Sequence, residues 1–279
     1  MRLIDGNNIL YHYLQKDLQD RDPELFGALV ADLIASLGIW LPQDAYQRMP
    51  LLLPWAVRDP DSRGNKRRGI EDQWGSPNDE GRFRDDNSLI KGLPKRLAIV
   101  PGLVSEYRNA RMGNGFVAAH IWRIRADGEL ATRRWDTYSF VPNIMWLPAQ
   151  VAKLTDREGA YAQRYLQALS LKLYRDAPIT DDLRPFVEAP WSLLPDPGIP
   201  EADLPDLSDL SFFECDDTFF ASRKRAIGDV LGALQSLERG DILNKKLISS
   251  RYGDGLPSVS AGRRSALMGE LASYLAALG

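Results

Sequence analysis

The sequence predicts an α+β fold, with a central unit of paired strands and a helix, flanking helices, and a C-terminal helical region. Three observations point to it. Leu25, Leu29, Val30, Leu33, Ile34 and Leu37 recur at helical spacing, as do Tyr161, Tyr165, Leu166, Leu169 and Leu173. Between these runs, the short apolar stretches Leu97–Val100 and Phe116–Ile124 read as strands, and the turn dipeptide Asp127-Gly128 leads to a return strand near Thr137–Val141. Apolar residues make up 44% of the 279, enough for a sizeable core in one large domain or two modest ones.

Along the chain, Leu3 to Asn8 reads as a short strand closing on a turn at Gly6-Asn7-Asn8. A helix from Pro23 to Trp40 follows. Pro23 suits its first turn, and Gly38 and Pro42 mark its end. Residues 59–88 are dense in Gly, Pro, Asn and Asp; a loop that long is either functional or flexible. After the strands comes a helix from Asp156 to Tyr174, with Asp156 as its expected cap. Residues 176–217 hold seven of the 18 prolines with little periodicity and read as a linker or lid. Two more helices are expected at Thr218–Arg239 and Gly262–Leu278, with Ser260 capping the latter. This divides the chain into an α+β domain (1–175), an acidic Pro-rich connector (176–217) and a C-terminal helical region (218–279).

No long uncharged apolar stretch is present, and the opening MRLIDGNNIL lacks the apolar core of a secretion signal. One cysteine, Cys215, excludes an internal disulfide, so the expected compartment is the cytoplasm and no membrane partner is expected. Asp216 and Asp217 oppose thiolate formation at Cys215, which reads as structural rather than nucleophilic. The net charge of −3 hides a strong asymmetry. Residues 61–135 carry 15 Lys or Arg against 10 Asp or Glu, a balance of +5, whereas residues 176–217 carry 12 acids against one base, a balance of −11. A basic centre is a reason to consider nucleic acid, and the acidic connector offers a surface for a protein partner.

The chemistry-bearing stretch runs from Gly115 to Arg157. It places His120 at the end of a strand, a turn after it, then Asn143 in the run Asn143-Ile144-Met145-Trp146-Leu147-Pro148, then a helix. This order resembles the ββα-metal core of the HNH nucleases over about 40 of the 279 residues. The resemblance implies a metal-dependent endonuclease that hydrolyses phosphodiester bonds in DNA, in a restriction or phage-defence setting. It implies His120 as the general base, neutral near pH 7 and also a candidate metal ligand, and Asn143 as the residue that holds the loop around the site. It further implies a divalent cation, Mg²⁺, Mn²⁺ or Zn²⁺. The chain departs from the family pattern in two places. Ala119 stands where many members have a metal-binding Asp, and Val151, Ala152 and Lys153 stand where the third-motif ligand falls. Asp156 is the expected substitute ligand, ahead of Gln150, because hard cations favour carboxylate oxygen. His12, between two tyrosines, reads as structural or surface.

Upstream, Arg63 to Arg96 interleaves nine Lys or Arg with Trp74, Phe83 and several small residues. Arg63, Lys66, Arg67, Arg68, Arg82 and Arg84 are candidate phosphate contacts and Trp74 a candidate base-stacking residue; Asp85-Asp86-Asn87 is a second place to look for metal ligands. Two other readings stand beside the nuclease. One is a non-catalytic nucleic-acid-binding or adaptor subunit of a defence complex, which the departures at residues 119 and 151–153 favour. The other rests on Leu3-Ile4-Asp5-Gly6-Asn7-Asn8, which resembles the first strand and turn of NYN and PIN-like ribonucleases, with Asp5 as the first metal ligand.

Overall fold

The computed structural model describes residues 9, 12–59, 62, 88–155, 158–243, 252–253 and 255–279. Among them, helix α1 spans Pro23–Leu37. The Asp22 side chain accepts a hydrogen bond from the Leu25 amide at 3.0 Å, Pro23 opens the first turn, and the Gly38 amide closes on the Ile34 carbonyl. Its buried stripe is Phe26, Val30 and Ile34, while Leu25 is 54% exposed. The apolar face is therefore rotated from the expected one, because Phe26 and not Leu25 leads the i, i+4, i+8 run.

Strand β1 (Ile39–Trp40), helix α2 (Gln43–Arg48), strand β2 (Ile99–Val100) and strand β3 (Phe116–His120) follow, then the single turn α3 (Trp135–Tyr138), strand β4 (Ile144–Pro148) and helix α4 (Ala149–Thr155). Beyond lie α5 (Tyr161–Tyr174), α6 (Pro185–Ser192), strand β5 (Ser211–Phe213), α7 (Asp217–Glu238) and α8 (Ala261–Ala277). Asp216 caps α7 through the Phe219 amide, and Ser260 occupies the cap position of α8. The α+β class holds: five strands form one mixed sheet in the order β2-β5-β1-β4-β3, with β1 and β5 parallel and the other pairs antiparallel.

The partner of β3 is not the expected one. It pairs with residues 144–148, from Phe116 opposite Pro148 to His120 opposite Ile144, and Thr137–Val141 is not a strand. Asp127-Gly128 does make a turn, with Gly128 at φ +84° and the Arg125 amide bonded to the Glu129 carbonyl at 2.9 Å. Its ladder stops at the single bridge Ile124–Leu130. Thr137 instead lies in α3, and Pro142, which has no amide hydrogen to donate, sits in the 3₁₀ turn Val141–Asn143.

Residues 176–217 supply α6 and β5, and β5 lies between β2 and β1. The buried apolar residues of the N-terminal part, the sheet and both C-terminal helices form one cluster. Trp146 on β4 meets Phe213 on β5 edge-on at 5.2 Å. On α8, the Tyr274 hydroxyl accepts from the Leu51 amide and donates to the Leu51 carbonyl, both at 2.9 Å. Among the described residues, no helix is long and apolar enough to cross a membrane.

Candidate functional site

Strands β3 and β4 run antiparallel and α4 follows directly, so the chain order is strand, strand, helix, with His120 as the last residue of the first strand. His120 is 9% exposed. Its Nε2 lies 2.9 Å from the carbonyl oxygen of Tyr138. A carbonyl only accepts, so Nε2 carries a proton and donates; in the neutral imidazole Nδ1 then carries the lone pair. The imidazole also stacks on the Tyr138 ring, at 5.2 Å between centroids and 24° between planes.

Asn143 is fully buried and joins three points of the connection between the strands. Its Oδ1 accepts from the Trp122 amide at 2.7 Å, its Nδ2 donates to the Thr137 carbonyl at 2.9 Å, and its own carbonyl accepts from the Ile121 amide at 3.0 Å. Further bonds hold the same connection to residues 50–53. The Ser139 carbonyl and hydroxyl accept from the Leu52 and Leu53 amides, and the Val141 amide donates to the Pro50 carbonyl.

Sequence reasoning missed Tyr138, which adjoins His120, and Arg58, which packs on Tyr138. Tyr138 receives the His120 proton through a backbone oxygen, a contact that no side-chain pattern announces. Arg58 is 1% exposed, with its guanidinium carbon 3.4 Å from the centre of the Tyr138 ring. Its neighbour Asp59 is fully buried and accepts from Arg263 Nε on α8 at 2.6 Å, while Arg263 also holds Glu270 at 2.9 and 3.2 Å. The Glu270 bond, then Asp59, push the Arg263 pKa up. A signal was available for this pair: Arg58-Asp59 ends the otherwise apolar run Leu51–Val57, where charges persist only with partners.

The remaining candidates divide plainly. Val151 and Ala152, where the resemblance implies a third-motif ligand, are buried in the core on α4, and Gln150 faces solvent. Asp156, Arg63, Lys66, Arg67, Arg68, Trp74, Arg82, Arg84, Asp85, Asp86 and Asp5 lie outside the described residues. Among the described residues, no three His, Cys, Asp or Glu side chains converge to hold a metal ion. His12 is exposed. The Cys215 thiol is pushed up to about 12, by burial first and then by Asp44 and Asp216, which suits a structural side chain and not a nucleophile. No family model, curated protein or solved structure matches the chain.

Proposed function

We propose that the chain is a divergent HNH-type endonuclease that hydrolyses phosphodiester bonds in DNA, with His120 as general base. The supporting observation is the setting of His120. It ends the first strand of a strand–strand–helix unit, and the Tyr138 carbonyl fixes it in the Nδ1-basic tautomer. In that tautomer Nδ1, buried in this structure, is the nitrogen that takes a proton from a water admitted to it as the water oxygen bonds to phosphorus; the ester P–O bond breaks and the leaving oxygen takes a proton from solvent. Asn143 is a positioning residue that ties the connection closing on His120. The described residues do not assemble a ligand set for a divalent cation. Asp156, Asp85 and Asp86 remain the positions proposed for Mg²⁺, Mn²⁺ or Zn²⁺. The basic segment from Arg63 to Arg96 is the proposed DNA contact, the cytoplasm the proposed compartment, and the acidic segment 176–217 the proposed site of contact with a protein partner.

The test is nicking of supercoiled plasmid with Mg²⁺, Mn²⁺ or Zn²⁺ by the wild type and His120→Ala. Loss of the base lowers the rate by roughly 10²–10⁴-fold while binding and folding persist. Wild-type kinetics in His120→Ala reject the role. A second reading, a non-catalytic nucleic-acid-binding adaptor, is favoured by the burial of Val151 and Ala152 where the family places a ligand. A wild type that binds DNA and cleaves neither DNA nor RNA with any of these cations establishes that reading.

A further inference from the structure

We propose that Arg58 is a positioning residue for His120, acting through Tyr138; the assignment rests on the reading of His120 as general base. Tyr138 sets the imidazole in two ways, by accepting the Nε2 proton and by stacking on the ring. Yet Tyr138 belongs to a helix of one turn, Trp135–Tyr138, in which the Tyr138 amide reaches the Arg134 carbonyl at 2.8 Å. A single turn is not self-supporting, because nucleation fixes several residues for one hydrogen bond. Its orientation comes from outside.

The 3₁₀ turn Trp55–Arg58 supplies that orientation at two points. Trp55 stacks on Trp135 at 3.8 Å and 26°, and Arg58 lies 3.4 Å over Tyr138. In each turn the two gripping residues are three apart, the spacing that places side chains on one face. The two turns therefore meet face to face. Asp59, next in the chain, is fixed by Arg263 on α8, so the gripping turn is itself anchored. A guanidinium suits the Tyr138 contact because it is planar and cationic, and both properties match an aromatic face. An aliphatic residue of similar length fills the space but loses the attraction to the ring. Tyr138 then shifts, and its carbonyl no longer selects one tautomer of His120.

The test uses the ring nitrogens of His120 as reporter, with His12→Gln making His120 the sole imidazole. In ¹⁵N-labelled protein with a neutral ring, the parent should show one protonated-type Nε2 signal and one lone-pair-type Nδ1 signal. Arg58→Met should move the two signals toward each other as both tautomers populate. Arg58→Lys, which keeps the cation and loses the plane, should fall between. The cleavage rate at saturating DNA should fall by about 10²-fold in Arg58→Met, the scale of a misplaced catalytic group, with KM held. A folded Arg58→Met with parental nitrogen signals overturns the assignment. Should Arg58→Met fail to fold, Arg58→Lys and a parent NOE from the Arg58 guanidinium to the Tyr138 ring decide it: parental signals in Arg58→Lys or no NOE overturn it. The spectra need no catalysis. A wild type that never cleaves rejects the general-base reading while the nitrogen signals still decide whether Arg58 sets His120.

Discussion

Replacing Asn143 with Ala should destabilise the protein severely, and the structure sets the scale. The side chain is fully buried and makes two hydrogen bonds, one accepted from the Trp122 amide and one donated to the Thr137 carbonyl. Alanine leaves both backbone groups in the core without that partner. An unsatisfied buried group costs about 1–3 kcal/mol, so the pair costs roughly 2–6 kcal/mol before any cavity term. Against a typical total of about 5–15 kcal/mol, this is a large share. Asn143→Asp separates the two bonds. It keeps an acceptor for Trp122 but turns an oxygen toward the Thr137 carbonyl, so burial and that carbonyl raise the new carboxyl's pKa in the folded state. A raised folded pKa contributes stability that is present below the unfolded value of about 3.9 and is lost as pH rises through the folded value. Asn143→Asp should therefore approach the wild type near pH 4 and fall well below it at pH 7. Equilibrium urea unfolding followed by far-UV circular dichroism at both pH values measures this. A loss below about 1 kcal/mol for Asn143→Ala, or a pH-independent deficit for Asn143→Asp, refutes the bracing role.

Two further predictions concern other parts of the chain. Burial raises the Cys215 thiol from 9.0 to about 12 in the folded state, so its contribution to stability is intact below pH 9 and is lost as pH rises toward 12; Cys215→Ser should flatten that part of the stability profile, and an unchanged alkaline slope argues against the thiol as its source. If Arg63, Lys66, Arg67 and Arg68 all contact phosphate, replacing the four with Ala should reduce the slope of log K against log salt by about 0.9 per lost contact on duplex DNA, equally for all sequences, and Trp74→Ala should weaken binding with little change in slope; a quadruple variant with wild-type slope and affinity removes this segment from the interface.

Helices were the legible part of this sequence, because periodicity and caps are local signals. The expected 218–239 and 262–278 appear as Asp217–Glu238 and Ala261–Ala277, and Asp216 and Ser260 stand at their cap positions. The helix expected from Asp156 begins at Tyr161, with Ala160 at its cap position. Strand partnership was not legible in the same way. Asp127-Gly128 announces a turn and makes one, but a turn signal does not say how far its ladder runs, and residues 144–148 win the pairing with β3 across the connection 121–143, far longer than the tight loop such a dipeptide usually marks. The acidic segment read as a linker because prolines hide a strand of only three residues, Ser211–Phe213. At the candidate site, His120 and Asn143 were legible as residue types at a spacing, and their partners were not. His120 donates to a backbone oxygen and Asn143 bonds an amide and a carbonyl, groups that every non-proline residue possesses. Such contacts are specified by the path of the chain, and here segments far away in sequence meet that path: residues 50–53 bond Ser139 and Val141, and Trp55 and Arg58 pack on Trp135 and Tyr138 some 80 residues later. The residue types of the candidate site are thus written locally, while the partners that place them come from packing between distant segments.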